Sequence, residues 1–237
     1  EFFQLIDVGF ARIVIPLSFS NSPESITLSS TFSFSFFVIL QNFQAIECNA
    51  CEKQSAAEII LFDGKSLKNW EITDYAGKSE IKVGKKGVLV MEMGAELSGI
   101  HWKGQPIPKV NYEITLEARR TMGNDFFCGL TFPYKDSHAT LVLGGWGGSL
   151  IGISSIDDFD ASENETGDAF IFEDKKWYAI KLRVSEEELI VWLDEKKVID
   201  CEVADRKVSM RFGEIEMSVP LGITTYATSG EFRNLTL

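Results

Sequence analysis

Short runs in which apolar and polar residues alternate recur along this chain from residue 58 onwards. In YEITLEAR, the residues Tyr112, Ile114, Leu116 and Ala118 share one side, and charged or hydroxyl residues occupy the other. A period of two is that of a β-strand with one buried face. Gly, Asp and Asn separate the runs, and no long helical pattern is present. The sequence therefore predicts an all-β sandwich of two antiparallel sheets.

Two further runs predict which side chains face the core. HATLVLGGW places His138, Thr140, Gly144 and Trp146 on one side of a strand and apolar residues on the other. In NDFFCGLTF the alternation predicts these inward residues: Phe126, Cys128, Leu130, Phe132. WYAIKLRV and LIVWL follow as a predicted hairpin, with its turn at the three glutamates of 186–188. The sequence leaves a disulfide between Cys128 and Cys201 open.

Residues 1–57 differ in pattern from residues 58–237, which form the predicted domain. The run TFSFSFFVIL at 31–40 has the length of a signal-peptide core and is followed by small residues, which predicts export and an extracytoplasmic location. It is too short for a transmembrane helix. An over-extended gene start over residues 1–30 is the alternative. Cys48 and Cys51 have metal-site spacing but lack two further ligands nearby in sequence.

The formal net charge of the chain is -12. Binding to nucleic acid needs clustered Lys and Arg, and no basic cluster here exceeds a pair such as Lys85 and Lys86. The charge therefore argues against a nucleic-acid partner and is compatible with neutral ligands. The sequence indicates no oligomeric state.

The most acidic stretch is IDDFDASENETG at 156–167. An EF-hand loop starting at Asp158 would need Gly where Glu163 stands and Glu where Ala169 stands, so that pattern fails. A looser divalent-metal site, for calcium or a transition metal, could still use Asp157, Asp158 and Asp160. The alternative is a solvated loop, and the sequence identifies no cofactor with certainty.

Two residues outside this stretch are candidates for chemistry. A histidine can titrate near neutrality and act as general acid or base, which makes His138 a candidate, and a strand-edge His is the alternative. Trp146 lies in GGWGG, where the glycines remove neighbouring side chains and leave the indole accessible to a flat ligand such as a sugar ring. A tryptophan that anchors a loop is the competing interpretation.

The segments LFDGKSLKNWE (61–71), KKWYAIKLRV, LIVWLDEKKVID and PLGITTYATSGEFRNLTL occur in an order that resembles the 3-keto-disaccharide hydrolase domain family. The resemblance implies a concanavalin A-like jelly roll over residues 58–237 and cleavage of glycosides that are oxidised at C3. The chain departs from the family pattern where it reads ATLVLGGW, NDFFCGLTF and Thr225–Tyr226. Asn124 is the family position that carries over.

The implied chemistry needs a base for the C2 proton, an acid for the leaving oxygen and a cation or donor for the enolate. We predict a carbohydrate substrate on the concave face of one sheet. The alternatives are a non-catalytic carbohydrate-binding module and a structural cell-surface domain. The candidate catalytic residues are His138, Asp125 and Glu165. The candidate substrate-binding residues are Asn124, Trp146, Asn164, Glu163 and Arg183.

Overall fold

A computed structural model of the chain describes residues 2–8, 11–17 and 58–237. The first two ranges form an antiparallel hairpin of β1 (Phe2–Val8) and β2 (Ala11–Leu17). This hairpin belongs to a separate unit from residues 57–237. The apolar run at 31–40 and the CNAC pair lie outside the described residues, so export and a role for Cys48 and Cys51 stay predictions. No helix in the described ranges is long and apolar enough to cross a membrane.

Residues 58–237 form two seven-stranded sheets in which every paired strand is antiparallel. The first, which we call the front sheet, has the spatial order β11 (Asp168–Ala169), β10 (Leu150–Ser154), β9 (Ser137–Gly144), β8 (Cys128–Tyr134), β15 (Gly222–Tyr226), β6 (Leu97–Trp102) and β3 (Trp70–Ile72). The second, the back sheet, has the order β14 (Lys196–Glu202), β13 (Glu188–Leu193), β12 (Tyr178–Val184), β7 (Tyr112–Gly123), β16 (Thr228–Thr236), β5 (Leu89–Met91) and β4 (Ile81–Val83). The helical segments are short: α1 (Gly145–Gly148) and two 3₁₀ turns (Lys85–Gly87 and Glu214–Ser218).

The predicted all-β sandwich is confirmed, and its core lies between the two sheets. In β7 the side chains of Ile114 and Ala118 have no exposed surface, as the alternation in YEITLEAR predicted. Leu130 and Leu141 of the front sheet are equally buried and belong to the same apolar cluster. Because alternate residues of each strand are used for this core, the intervening residues of the front sheet are left on its outer face.

The predicted hairpin over 178–193 is also confirmed. Val184 of β12 pairs with Leu189 of β13, and the connecting residues are 185–187. The hydroxyl of Ser185 accepts a hydrogen bond of 2.8 Å from the backbone N–H of Glu188, which closes the turn. Both described cysteines, Cys128 and Cys201, are free thiols.

One predicted inward residue was wrong, and the reason is a bulge at the start of β8. Cys128 pairs with Leu143 of β9, and the backbone N–H of Phe127 also donates to the carbonyl of Leu143 at 3.2 Å. Phe127 and Cys128 therefore both lie opposite Leu143. This β-bulge reverses the alternation of inward and outward side chains at this point. Phe127 enters the core with no exposed surface, and Phe126 turns to the outer face of the front sheet.

Candidate functional site

A pocket of about 320 Å³ lies on the outer face of the front sheet. Its floor is formed by Thr140, Val142 and Ser154, which alternate with core residues along β9 and β10. Small side chains at the floor leave space above the sheet. The other lining residues come from loops and strand ends: Leu97, Asp125, Phe126, Trp146, Arg211, Phe212, Gly213, Glu214, Ile215 and Tyr226.

Trp146 stands at the edge of this pocket on a tight turn. Its φ angle is 49°, and those of Gly144, Gly147 and Gly148 are also positive, so the turn depends on residues that adopt the left-handed region easily. A Cβ atom on Gly148 would lie 2.8 Å from Arg120 Nη1. The glycines therefore fix a turn that leaves Trp146 44% exposed, as the sequence predicted.

Asp125 is tied to the same turn. Its Oδ1 accepts a 2.7 Å hydrogen bond from the backbone N–H of Phe126, and its Oδ2 faces the backbone N–H of Gly147 at 3.4 Å. The backbone N–H of Asp125 donates to Thr228 Oγ1 at 2.9 Å. The carboxylate is thus half-buried, lines the pocket and lies next to Trp146 along the turn.

Further lining residues come from the segment between β14 and β15. Arg211 lies with its guanidinium carbon 5.6 Å from the centre of the Trp146 ring, within the range of a cation–π contact. Phe212, Glu214 and Ile215 follow it in the lining. The pocket therefore combines aromatic surfaces with two carboxylates and one guanidinium.

The acidic stretch 156–167 binds this same segment through ion pairs. Asp157 lies 2.8 Å from Arg206, Asp158 pairs with Lys207 at 2.6 Å and Asp160 pairs with Arg211. The backbone N–H of Lys207 and the guanidinium of Arg206 hold the pKa of Asp157 below its usual value. We call this set of contacts the ionic clasp.

These contacts bear on whether the three aspartates can bind a metal ion. Each of Asp157, Asp158 and Asp160 is directed to a different cationic side chain. Within residues 58–237, no three His, Cys, Asp or Glu side chains come together in a way that could hold a metal ion. The described residues therefore do not fit a divalent-metal site, and we derive no step through a metal.

A family model described as the 3-keto-alpha-glucoside-1,2-lyase-like domain matches residues 58–237. The chain belongs to this family. This agrees with the resemblance given by the opening and closing motifs of the sequence. No curated protein sequence matches the chain.

Solved structures share the fold at low sequence identity. A mutant of SCLam, described as a non-specific endo-beta-1,3(4)-glucanase from family GH16, is 9% identical with a TM-score of 0.51, covering 77% of this chain and 95% of that one. The carbohydrate binding module CBM66 from Bacillus subtilis is 14% identical, with a TM-score of 0.48 and coverages of 70% and 93%. A putative glycosyl hydrolase from Parabacteroides distasonis is 16% identical, with a TM-score of 0.44 and coverages of 76% and 98%. The concanavalin A-like jelly roll is confirmed, and family and fold together indicate a carbohydrate-related function.

Several residues that the sequence singled out lie away from the pocket lining. The amide of Asn164 donates to the carbonyls of Ile153, Phe159 and Asp160, so it holds its own loop together. Glu165 lies 3.3 Å from Arg206 Nη2, and Glu163 is exposed. Their predicted roles in substrate binding and catalysis stay predictions.

The same is true of three residues on other elements. His138, near the start of β9, is half-buried, and burial together with the nearby Lys109 lowers its pKa. Asn124 is exposed beside Asp125. Arg183 lies on the outer face of the back sheet, where it pairs with Glu113 at 2.6 Å. Of the candidate catalytic and substrate-binding residues, Asp125 and Trp146 line the pocket.

Sequence reasoning missed Arg211, Phe212, Glu214 and Tyr226. Arg211 belongs to RKVSMR, a short basic stretch, and it pairs with an acid about 50 residues earlier in the chain. The opposite charges of the two stretches were the available signal. Their contact could not be read from local periodicity, because neither stretch is a regular strand.

Proposed function

We propose that this protein cleaves 3-keto-glycosides by elimination followed by hydration in the pocket that Trp146 and Arg211 help to line. The observation that carries the proposal is the combination of a carboxylate, a guanidinium and an exposed indole around one pocket. Family membership over residues 58–237 supports the substrate class. Sugar rings present an apolar C–H face that stacks on an indole such as that of Trp146.

The reaction begins with removal of the proton at C2, which the ketone at C3 acidifies. The electron pair of that C–H bond delocalises onto the C3 oxygen as an enolate. Collapse of the enolate forms a C1=C2 double bond and breaks the bond from C1 to the glycosidic oxygen, which leaves with a proton as an alcohol. Water then adds across the double bond, placing OH on C1 and H on C2. The sum of the steps is hydrolysis.

Three side chains of the pocket lining supply the groups that these steps require. Asp125 is the base, because its carboxylate lies beside the stacking surface and can take a proton. Arg211 is the cation for the enolate oxygen, since a guanidinium is charged at any physiological pH and offers several N–H donors. Glu214 is the remaining carboxyl of the lining and supplies the proton to the leaving oxygen.

The function is tested by incubating the full chain with 3-keto-disaccharides and their unoxidised parents, with and without a chelator. We expect monosaccharide release from the keto substrates alone, and no loss of activity with chelator. In D₂O the product should carry deuterium at C2, because the elimination removes that proton; the free 3-keto sugar incubated without protein is the control for exchange. Release from the parent sugars, or product without deuterium at C2, would contradict the proposal.

A non-catalytic carbohydrate-binding module is the second candidate, and the exposure of Trp146 on a glycine turn favours it. Trp146→Ala should then weaken disaccharide binding by about 10-fold or more, as expected for an aromatic side chain that the ligand covers, with no product formed. Calorimetric titration measures the affinity. Trp192→Ala, on the outer face of the back sheet, is the matched control and should bind normally. Unchanged affinity in Trp146→Ala would exclude this pocket from binding.

A further inference from the structure

Asp160 connects the acidic stretch to the pocket. Its Oδ2 accepts a hydrogen bond from Arg211 Nη1, and its Oδ1 accepts from the backbone N–H of Ala161 at 2.9 Å. The same Oδ1 also accepts from the hydroxyl of Ser154, which is buried in the pocket floor. The Asp160 carboxylate is therefore held by Ser154 of the pocket floor and by the backbone of its own loop, independently of Arg211.

Arg211 has much less support from its surroundings. Its side chain is 58% exposed, whereas that of Asp160 is 17% exposed. Asp160 is the carboxylate that bonds to Arg211 in the described part of the chain, and the remaining contact of the guanidinium is with the Trp146 ring. A long exposed side chain samples many rotamers unless a partner selects one. The position of the guanidinium over the pocket thus depends on Asp160.

We propose that Asp160 is a positioning residue, which holds the Arg211 guanidinium against Trp146 so that it can meet the enolate oxygen. The acidic stretch thereby serves the pocket without touching the substrate. This inference rests on the proposed function for the role of Arg211. The inference assigns a role to Asp160, which the sequence analysis named as a candidate metal ligand.

The other pairs of the ionic clasp give a matched comparison. Lys207 pairs with Asp158 and belongs to the same segment, but it does not line the pocket. Removing either cation costs the clasp one ion pair, and the Lys207 and Arg211 side chains are both mostly exposed, where such pairs contribute little to stability. A difference between the two variants therefore reports on the position of Arg211 rather than on general loosening of the segment.

The test uses the full chain with Asp160→Asn, Arg211→Gln, the double variant and Lys207→Gln. Asp160→Asn should lower kcat on 3-keto-disaccharides by about 10- to 100-fold, as small misplacements of a catalytic group do, and leave KM within about two-fold, since the contact acts after binding. The double variant should be no slower than Arg211→Gln, because the two residues act as one unit. Lys207→Gln should match the wild type.

A second readout does not need turnover. Moving the guanidinium away from the indole should change the fluorescence emission of Asp160→Asn, and that change should vanish when Trp146→Phe is added. If Asp160→Asn fails to fold, Asp160→Glu, which keeps the charge but moves the carboxylate by one methylene, supplies the same readout. If the wild type cleaves no keto-glycoside, the proposed function fails, and the emission result alone decides the positioning role. Wild-type emission in Asp160→Asn, or equal losses in Lys207→Gln, would overturn the inference.

Discussion

Replacement of Asp125 by Asn is expected to lower kcat on 3-keto-disaccharides by about 10²- to 10⁴-fold, the contribution of a positioned general base. An amide cannot take the C2 proton. Its oxygen can still accept the 2.7 Å hydrogen bond from the Phe126 N–H, although its NH2 group cannot accept the long contact of 3.4 Å from the Gly147 N–H. Single-turnover measurement of monosaccharide release, together with the thermal unfolding midpoint, separates loss of chemistry from loss of fold.

The control is Asp136→Asn. Asp136 is almost fully exposed, pairs with Lys109 at 2.7 Å and lies outside the pocket lining. Its activity should equal that of the wild type. If Asp125→Asn kept more than a tenth of the wild-type rate, another group would have to be the base.

Truncation of Phe127 to Ala is expected to lower the free energy of unfolding by about 3–5 kcal/mol, the usual cost of a phenylalanine removed from a packed core. Its ring has no exposed surface and lies 5.0 Å from the Phe172 ring and 6.4 Å from that of Tyr178. Partial relaxation of these rings would leave a cavity. Urea unfolding followed by circular dichroism measures the change.

Phe126→Ala is the matched variant, one residue earlier and facing the pocket. Its ring is half-buried and lies 5.8 Å from that of Tyr226. We expect a stability loss of about 1 kcal/mol or less, as for residues outside the core, with weaker ligand binding instead. Equal stability losses in the two variants would show that the bulge at Phe127 is absent from the folded protein.

The strands of the sandwich could be predicted because burial on one face leaves a period of two in the sequence. Ile114 and Ala118 lie in the core for this reason, and so do Leu130 and Leu141. The inward orientation predicted for Phe126 was wrong, because the bulge inserts one residue into the strand and the amino-acid composition does not reveal it. The local sequence pattern shows that side chains alternate between the two faces of a strand, but it does not show where a bulge interrupts that alternation.

The candidate site was harder to predict than the fold. Trp146 could be identified because the glycines around it are a local signal, and Asp125 because it is a carboxylate within the alternating run NDFFCGLTF. Arg183 also alternates correctly along β12, yet its face belongs to the sheet that does not carry the pocket. Arg211 needed a contact with Asp160 across about 50 residues. Such contacts depend on tertiary structure, which periodicity does not encode.

The ionic clasp has a consequence for how this region can diverge in sequence. Asp157 and Glu165 share Arg206, whereas Asp158 and Asp160 each have a cation of their own, so substitution of Asp158 or Asp160 leaves Lys207 or Arg211 without its acidic partner. Contacting residues of this kind are energetically coupled and do not contribute independently. We therefore expect substitutions at Asp160 and Arg211 to be tolerated better together than singly. Libraries that replace one residue at a time will underestimate the range of sequences that these positions accept together.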